Sequence, residues 1–217
     1  SSTSSALVTR SELLWVFLAT AVVLGCLVAR FNFVSDDAFI LFRYSKNFAE
    51  GLGLVYNPGT NPPVEGYSEF LWAVILGGVE TLGLEITFWA RLLTIVGSIA
   101  LLYHLVTFAG QKLGLGRVGL VATGLFFATN PTVGVWTTGG LSSSLFALSI
   151  FLCYRALFDE ATRPRGWSAG FWGTATCLFR ADGPFWIVVL LFVALVAHLL
   201  ARRSDGEHEQ APAVFFP

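Results

Sequence analysis

The sequence predicts an all-α integral membrane protein, a polytopic bundle of about six spans, and three observations carry that prediction. The composition is 55% hydrophobic with a mean hydropathy of +0.70 and only 12% charged residues, far from the mix of a soluble globular domain. Apolar runs of spanning or near-spanning length recur along most of the chain. The lysines and arginines between them fall on one side of a bilayer in a single consistent topology. A formal net charge of -1 leaves no basic field to recruit nucleic acid.

Leu13 to Ala29 is almost unbroken and apolar, long enough with its flanks to cross a hydrocarbon core of about 30 Å at about 1.5 Å per residue. Only Arg10 beside Glu12 precedes it, and no small-x-small cleavage site follows before the acidic pair, so it reads as an uncleaved first span. Residues 1–12 are then a cytoplasmic tail. Further spans are expected at Phe88 to Ala109, Val118 to Val135, Leu141 to Phe158, Trp167 to Phe179 and Pro184 to Leu200. Residues 201–217 follow as a polar cytoplasmic tail or the start of a truncated continuation.

The run Phe70 to Leu84 is about fifteen residues, bounded by Glu69 and Glu85 and interrupted by Glu80, short for a crossing. If it does not cross, Arg10, the Lys112/Arg117 loop, the Arg163/Arg165 loop and Arg202/Arg203 share one face. If it crosses, they divide between the two. It is therefore read as a helix in the outer interface, with both termini cytoplasmic and a membrane domain over residues 13–200.

That topology puts three segments on the outer face: a first loop over residues 30–87, Asn130 to Gly140, and Arg180 to Gly183. Polar groups are costly near a bilayer, so their convergence on one face reads as a site. In the first loop, helical spacing over Asp36 to Phe48 with Ser35 as N-cap places Asp36 and Asp37 in a first turn, where the helix dipole favours carboxylates. Capping alone explains such acids in many proteins; at a head-group boundary they also face any lipid-borne substrate. Adjacent helical side chains point about 100° apart, so one acid is expected to act and the other to support it.

Arg180, in a short outer turn, suits a phosphate, or else an ion pair with Asp182. Arg43 and Lys46 read as snorkelling residues or ligand contacts, and Glu65 and Tyr67 as hydrogen-bonding ligand contacts or plain turn residues. Trp72, Trp89 and Trp136 read as interfacial anchors, His104 as a hydrogen-bonded core residue, and Cys26, Cys153 and Cys177 as small apolar-run residues without CxxC spacing. Nucleotide-cradling and zinc-hydrolase motifs are absent.

The segment SDDAFILFRYSKNFAEGLGLVYNPG, followed by VEGYSEFLW, resembles the first extracytoplasmic loop of GT-C glycosyltransferases, in particular the branch with the actinobacterial terminal arabinofuranosyltransferases. Asn130-Pro131, Gly139-Gly140-Leu141 and the Phe179-Arg180-Ala181-Asp182-Gly183 turn agree with it. The resemblance implies a GT-C fold in the plasma membrane and transfer of a sugar, arabinofuranose foremost, from a polyprenyl-phosphate donor to a cell-envelope glycan on the extracytoplasmic side. It implies Asp36 as the catalytic carboxylate with Asp37 as orienting partner or metal ligand. Two departures stand out. Relatives commonly carry Gly-Leu-Glu-Thr where this chain has Gly140-Leu141-Ser142-Ser143, and they are much longer, so the chain reads as an N-terminal fragment or short form. Oxygen ligands are at hand for a divalent ion, but one adjacent Asp pair does not make a metal site. A lipid-linked sugar flippase and an inactive scaffold subunit are the competing classes.

Overall fold

The computed structural model describes residues 8–31, 33–62, 64, 66–158 and 166–209, and among these the regular structure is entirely helical. Nine helices follow in order: α1 Arg10–Arg30, α2 Asp36–Ala49, α3 Phe70–Thr81, α4 Ile86–Gln111, α5 Arg117–Ala128, α6 Pro131–Thr138, α7 Ser143–Phe158, α8 Gly166–Phe179 and α9 Gly183–Glu209. Three of them, α1, α4 and the Gly183–Leu200 part of α9, are long and apolar enough to cross a membrane. The chain is thus a helical protein with membrane-spanning character.

The expected runs over Leu13 to Ala29, Phe88 to Ala109 and Pro184 to Leu200 lie inside those three helices. The runs Leu141 to Phe158 and Trp167 to Phe179 fall on α7 and α8, which are shorter than those three, and one run differs from expectation. Val118 to Val135 is not one straight helix: it breaks at Asn130-Pro131 into α5 and α6, bent by 52°. Proline has no N–H for the preceding turn and Asn130 caps α6 by accepting from Thr132 N–H at 2.9 Å, so a new helix starts there. Counting that bent pair as one span gives up to four. Helix α7 has 16 residues and α8 has 14, about 24 and 21 Å long. Helix α9 runs on past Leu200 to Glu209, into the stretch expected as a polar tail.

Side-chain caps mark the starts of α1, α4 and α6. Thr9 and Glu12 form a capping box on α1, with Thr9 N–H donating to Glu12 at 2.8 Å. Ser35 does stand at the N-cap of α2, but its side chain makes no capping bond; its backbone N–H instead donates to Gly139 O at 3.0 Å. Glu85 caps α4 by accepting from Thr87 N–H.

Packing of small residues sets how closely the helices approach. A Cβ added at Gly124 of α5 would lie 2.6 Å from Thr20 of α1, and one at Gly97 of α4 would lie 2.7 Å from Leu145 of α7. Buried hydroxyls tie α4, α6 and α7 together: Thr94 donates to Thr137 O at 2.8 Å, and Ser98 bonds both Thr137 Oγ1 and Ser144 Oγ at 2.7 Å. Thr176 of α8 reaches Ser149 of α7 at 2.9 Å. In lipid, where no hydrophobic force drives helices together, each such bond contributes about 0.6 kcal/mol on average.

The ends of the bundle differ in character. At one end Arg117 pairs with Glu12, joining the starts of α1 and α5. At the other, the turn Gly139-Gly140-Leu141-Ser142 gathers the three segments expected on the outer face. Gly139 O accepts from Ser35 N–H, and Gly140 O accepts from the Trp72 indole at 2.9 Å. Ser142 Oγ donates to Phe179 O at 3.1 Å. Trp72 is fully buried in the cluster with Ala38, Leu41, Phe42 and Leu76, which corrects its reading as an interfacial anchor. His104 does have a polar partner, with Nδ1 lying 3.0 Å from Arg155 Nη1.

Gly140 has φ +85°, and a Cβ there would meet Ala38, Phe42 and Val34 at 3.0 to 3.3 Å. Gly140→Ala is expected to cost about 1–2 kcal/mol through backbone strain alone, with further loss if Ala38 and Phe42 cannot yield. Thermal unfolding in detergent checks this: the midpoint should fall, whereas Gly78→Ala, inside α3 with open space around the added Cβ, should raise it slightly.

Candidate functional site

Between α2, the approach to α3, the α6–α7 turn and the α8–α9 turn lies a polar cleft of about 660 Å³. Asp37, Tyr67, Ser68, Glu69, Trp136, Ser143 and Arg180 are on its wall. Thus all three segments expected to converge do so, brought together by the bonds to the Gly139–Ser142 turn.

The structure sorts the sequence candidates. Asp36 and Asp37 are both exposed in the first turn of α2, but only Asp37 is on the cleft wall. The 100° between neighbouring helical positions separates them, and it turns the residue expected to support toward the cleft. Arg180 and Tyr67 are on the wall as well. Arg43 is not: its Nε donates to Tyr56 O at 2.7 Å, its Nη2 to Asn57 at 3.2 Å, and its guanidinium lies 4.7 Å from the Tyr56 ring centroid. It clamps the turn after α2. Lys46, one turn further along α2, is exposed and also off the wall. Glu65 lies outside the described residues.

Arg180 is the cation of this wall. Its Nε donates to Asp182 at 2.9 Å, the ion pair foreseen as one of its roles, and its guanidinium lies 5.5 Å from the Phe146 ring. That pairing holds the Asp182 carboxyl below its usual range. Arg180 is still 36% exposed, so a phosphate can reach it.

Glu69 was not among the expected site residues. It is the N-cap of α3, yet its side chain makes no capping bond to its own helix. Its side chain is 4% exposed and reaches across to α7, where Oε2 accepts from Ser142 N–H at 2.8 Å, while Oε1 lies 3.8 Å from Arg180 Nη1. A carboxylate from the start of α3 therefore accepts the backbone N–H of the residue that precedes α7. Burial pushes the Glu69 carboxyl up from the ordinary range, outweighing the Ser142 bond and Arg180, which favour ionisation. The sequence signal was an acid placed directly before an apolar helix, where a capping role is the simpler reading.

A second cavity, of about 680 Å³, is almost purely apolar and runs between α4, α7 and α9. Leu105, Phe146, Ile150, Tyr154, Trp186 and Leu190 line it. It follows α7 from Ser143 to Tyr154, about 16 Å. Ser143 and Arg180 line both cavities, so the polar cleft and the apolar groove adjoin at these two residues. Among the described residues no three His, Cys, Asp or Glu side chains are grouped to hold a metal ion.

No family model, curated protein or solved structure matches the chain.

The raised Glu69 carboxyl fixes the sign of a pH effect. A carboxyl that protonates more readily when folded contributes fully below its ordinary value of 4.5, and the contribution is lost as pH rises through the raised one. Between about pH 4 and about pH 8 the thermal midpoint of the wild type in detergent should therefore fall relative to that of Glu69→Gln. Equal changes in both proteins would show that Glu69 carries none of the effect.

Proposed function

We propose that the chain is a membrane glycosyltransferase of GT-C type, moving a sugar from a polyprenyl-phosphate donor to a cell-envelope glycan. The observation that carries the reading is the junction at Arg180. A polar cleft with a carboxylate meets an apolar groove at a partly exposed guanidinium, the shape of a lipid phosphate with a sugar beyond it. In this arrangement the isoprenoid lies along α7 and α9, its phosphate rests on Arg180, and the sugar fills the cleft beneath Asp37 and Tyr67. The resemblance of the first loop supplies the sugar class, arabinofuranose, and the extracytoplasmic location. Its topology counts α5–α6 as one bent crossing and α7 and α8 as short ones, six in all.

The chemistry follows from the charges. The acceptor hydroxyl oxygen attacks the anomeric carbon as the bond from that carbon to the phosphate oxygen breaks. Asp37 takes the hydroxyl proton, and Arg180 offsets the charge gained by the departing polyprenyl phosphate. Trp136, exposed on the wall, offers an apolar face for the sugar ring. Asp36 stays outside, where it favours the start of α2 through the helix dipole.

Transfer of radiolabelled sugar from a synthetic polyprenyl-phosphate donor tests this. Asp37→Asn should lower turnover by about 10²–10⁴-fold, the range for loss of a general base. Asp36→Asn should lower it by less than about 10-fold. The reverse order would return the catalytic role to Asp36. No transfer by the wild type would favour the flippase or the scaffold.

A further inference from the structure

We propose that Glu69 and the phosphate of the lipid ligand compete for the Arg180 guanidinium, so that binding of the anion is coupled to uptake of a proton by Glu69. The inference rests on the reading of the cleft as a lipid-phosphate site and adds a regulation to it. Glu69 acts through Arg180 and is a positioning residue.

Geometry separates the two Glu69 oxygens by task. Oε2 is held at 2.8 Å by Ser142 N–H, which fixes the side chain. Oε1 stands 3.8 Å from Arg180 Nη1, inside charge contact but beyond hydrogen-bond distance. The Nε edge of Arg180 is already committed to Asp182. The Nη side is therefore the one that an arriving phosphate oxygen can take, and it does so at the expense of its contact with Glu69.

Charge then decides the protonation state. From α2, Asp37 faces the same cleft; from the approach to α3, Tyr67 does; from the α8–α9 turn come Arg180 and Asp182; and the turn before α7 contributes the N–H of Ser142. Helix α8, packed on α3, contains no Asp, Glu, Lys, Arg or His. With every carboxylate ionised, Glu69 and Asp182 stand against one guanidinium, Asp37 adds a third negative charge on the cleft wall, and a phosphate would add to the excess. Of the three, Glu69 is the buried one, and burial already favours its neutral form. The bond from Ser142 survives protonation, because the carbonyl oxygen of a neutral carboxyl still accepts.

The test uses the whole chain in phosphatidylcholine nanodiscs and geranylgeranyl methyl phosphate, a phosphodiester that stays a monoanion across the range. Between about pH 5 and about pH 8, wild-type Kd should rise with pH, by up to about tenfold per unit where one proton is coupled. Glu69→Gln should bind with a Kd near the wild-type low-pH value and with little pH dependence, and Glu69→Asp should restore the dependence. The same slope in wild type and Glu69→Gln overturns the coupling. If Glu69→Gln does not fold, proton uptake by the wild type, measured calorimetrically in buffers of different ionisation enthalpy, decides: about one proton per ligand supports it, and none overturns it. Failure of the phosphate reading looks different, because binding would then be absent at every pH or unchanged in Arg180→Gln, and the coupling would fall with it.

Discussion

One turn, Gly139-Gly140-Leu141-Ser142, holds the site together. Its two glycine carbonyls accept from the Ser35 backbone and the Trp72 indole, its Ser142 N–H donates to Glu69, and its Ser142 hydroxyl donates to Phe179 O. These bonds come from the start of α2, from α3, from the cap of α3 and from the end of α8. Their partners are largely buried, where an unmade bond costs about 1–3 kcal/mol. The positive φ of Gly140 allows the backbone to pass close to Ala38 and Phe42, so that the loop helix sits directly on the turn. Displacing the turn would therefore separate Asp37, Glu69 and Arg180 together.

Around this turn the molecule offers two environments that meet at one side chain. The cleft is polar on the side of α2 and the approach to α3; the groove is apolar and follows α7 toward Tyr154. Arg180 is common to both, steered by Asp182 and resting near the Phe146 ring. A guanidinium is suited to such a boundary, since it is weakly hydrated, stacks on aromatic faces and presents a planar set of donors. The proposed function is the use of that boundary by a ligand with the same division between head and tail.

The balance of charge around Arg180 is uneven, and burial makes it so. Asp37 and Asp182 are exposed, whereas Glu69 is held in the protein by its bond to Ser142. A buried carboxylate beside a shared cation has two settled states, ionised against Arg180 or neutral beside an anion that has replaced it. That duality is a property of position rather than of residue type.

How much of this was legible in the sequence follows from the range of each force. Helical class, the three long apolar helices and the N-cap position of Ser35 were readable, because hydropathy and capping act within one or two turns of chain. The convergence of the three polar segments was also readable, because the bilayer and the basic loops constrain which ends lie together. The sequence could not say which of Asp36 and Asp37 faces the cleft, since 100° of helical phase matters only once α2 is seated against Gly140. Nor could it separate Arg43, which folds back on Tyr56 and Asn57, from Arg180, which does not. Trp72 and Glu69 were the least legible: both act on a turn some seventy residues away, and only packing brings those bonds into being.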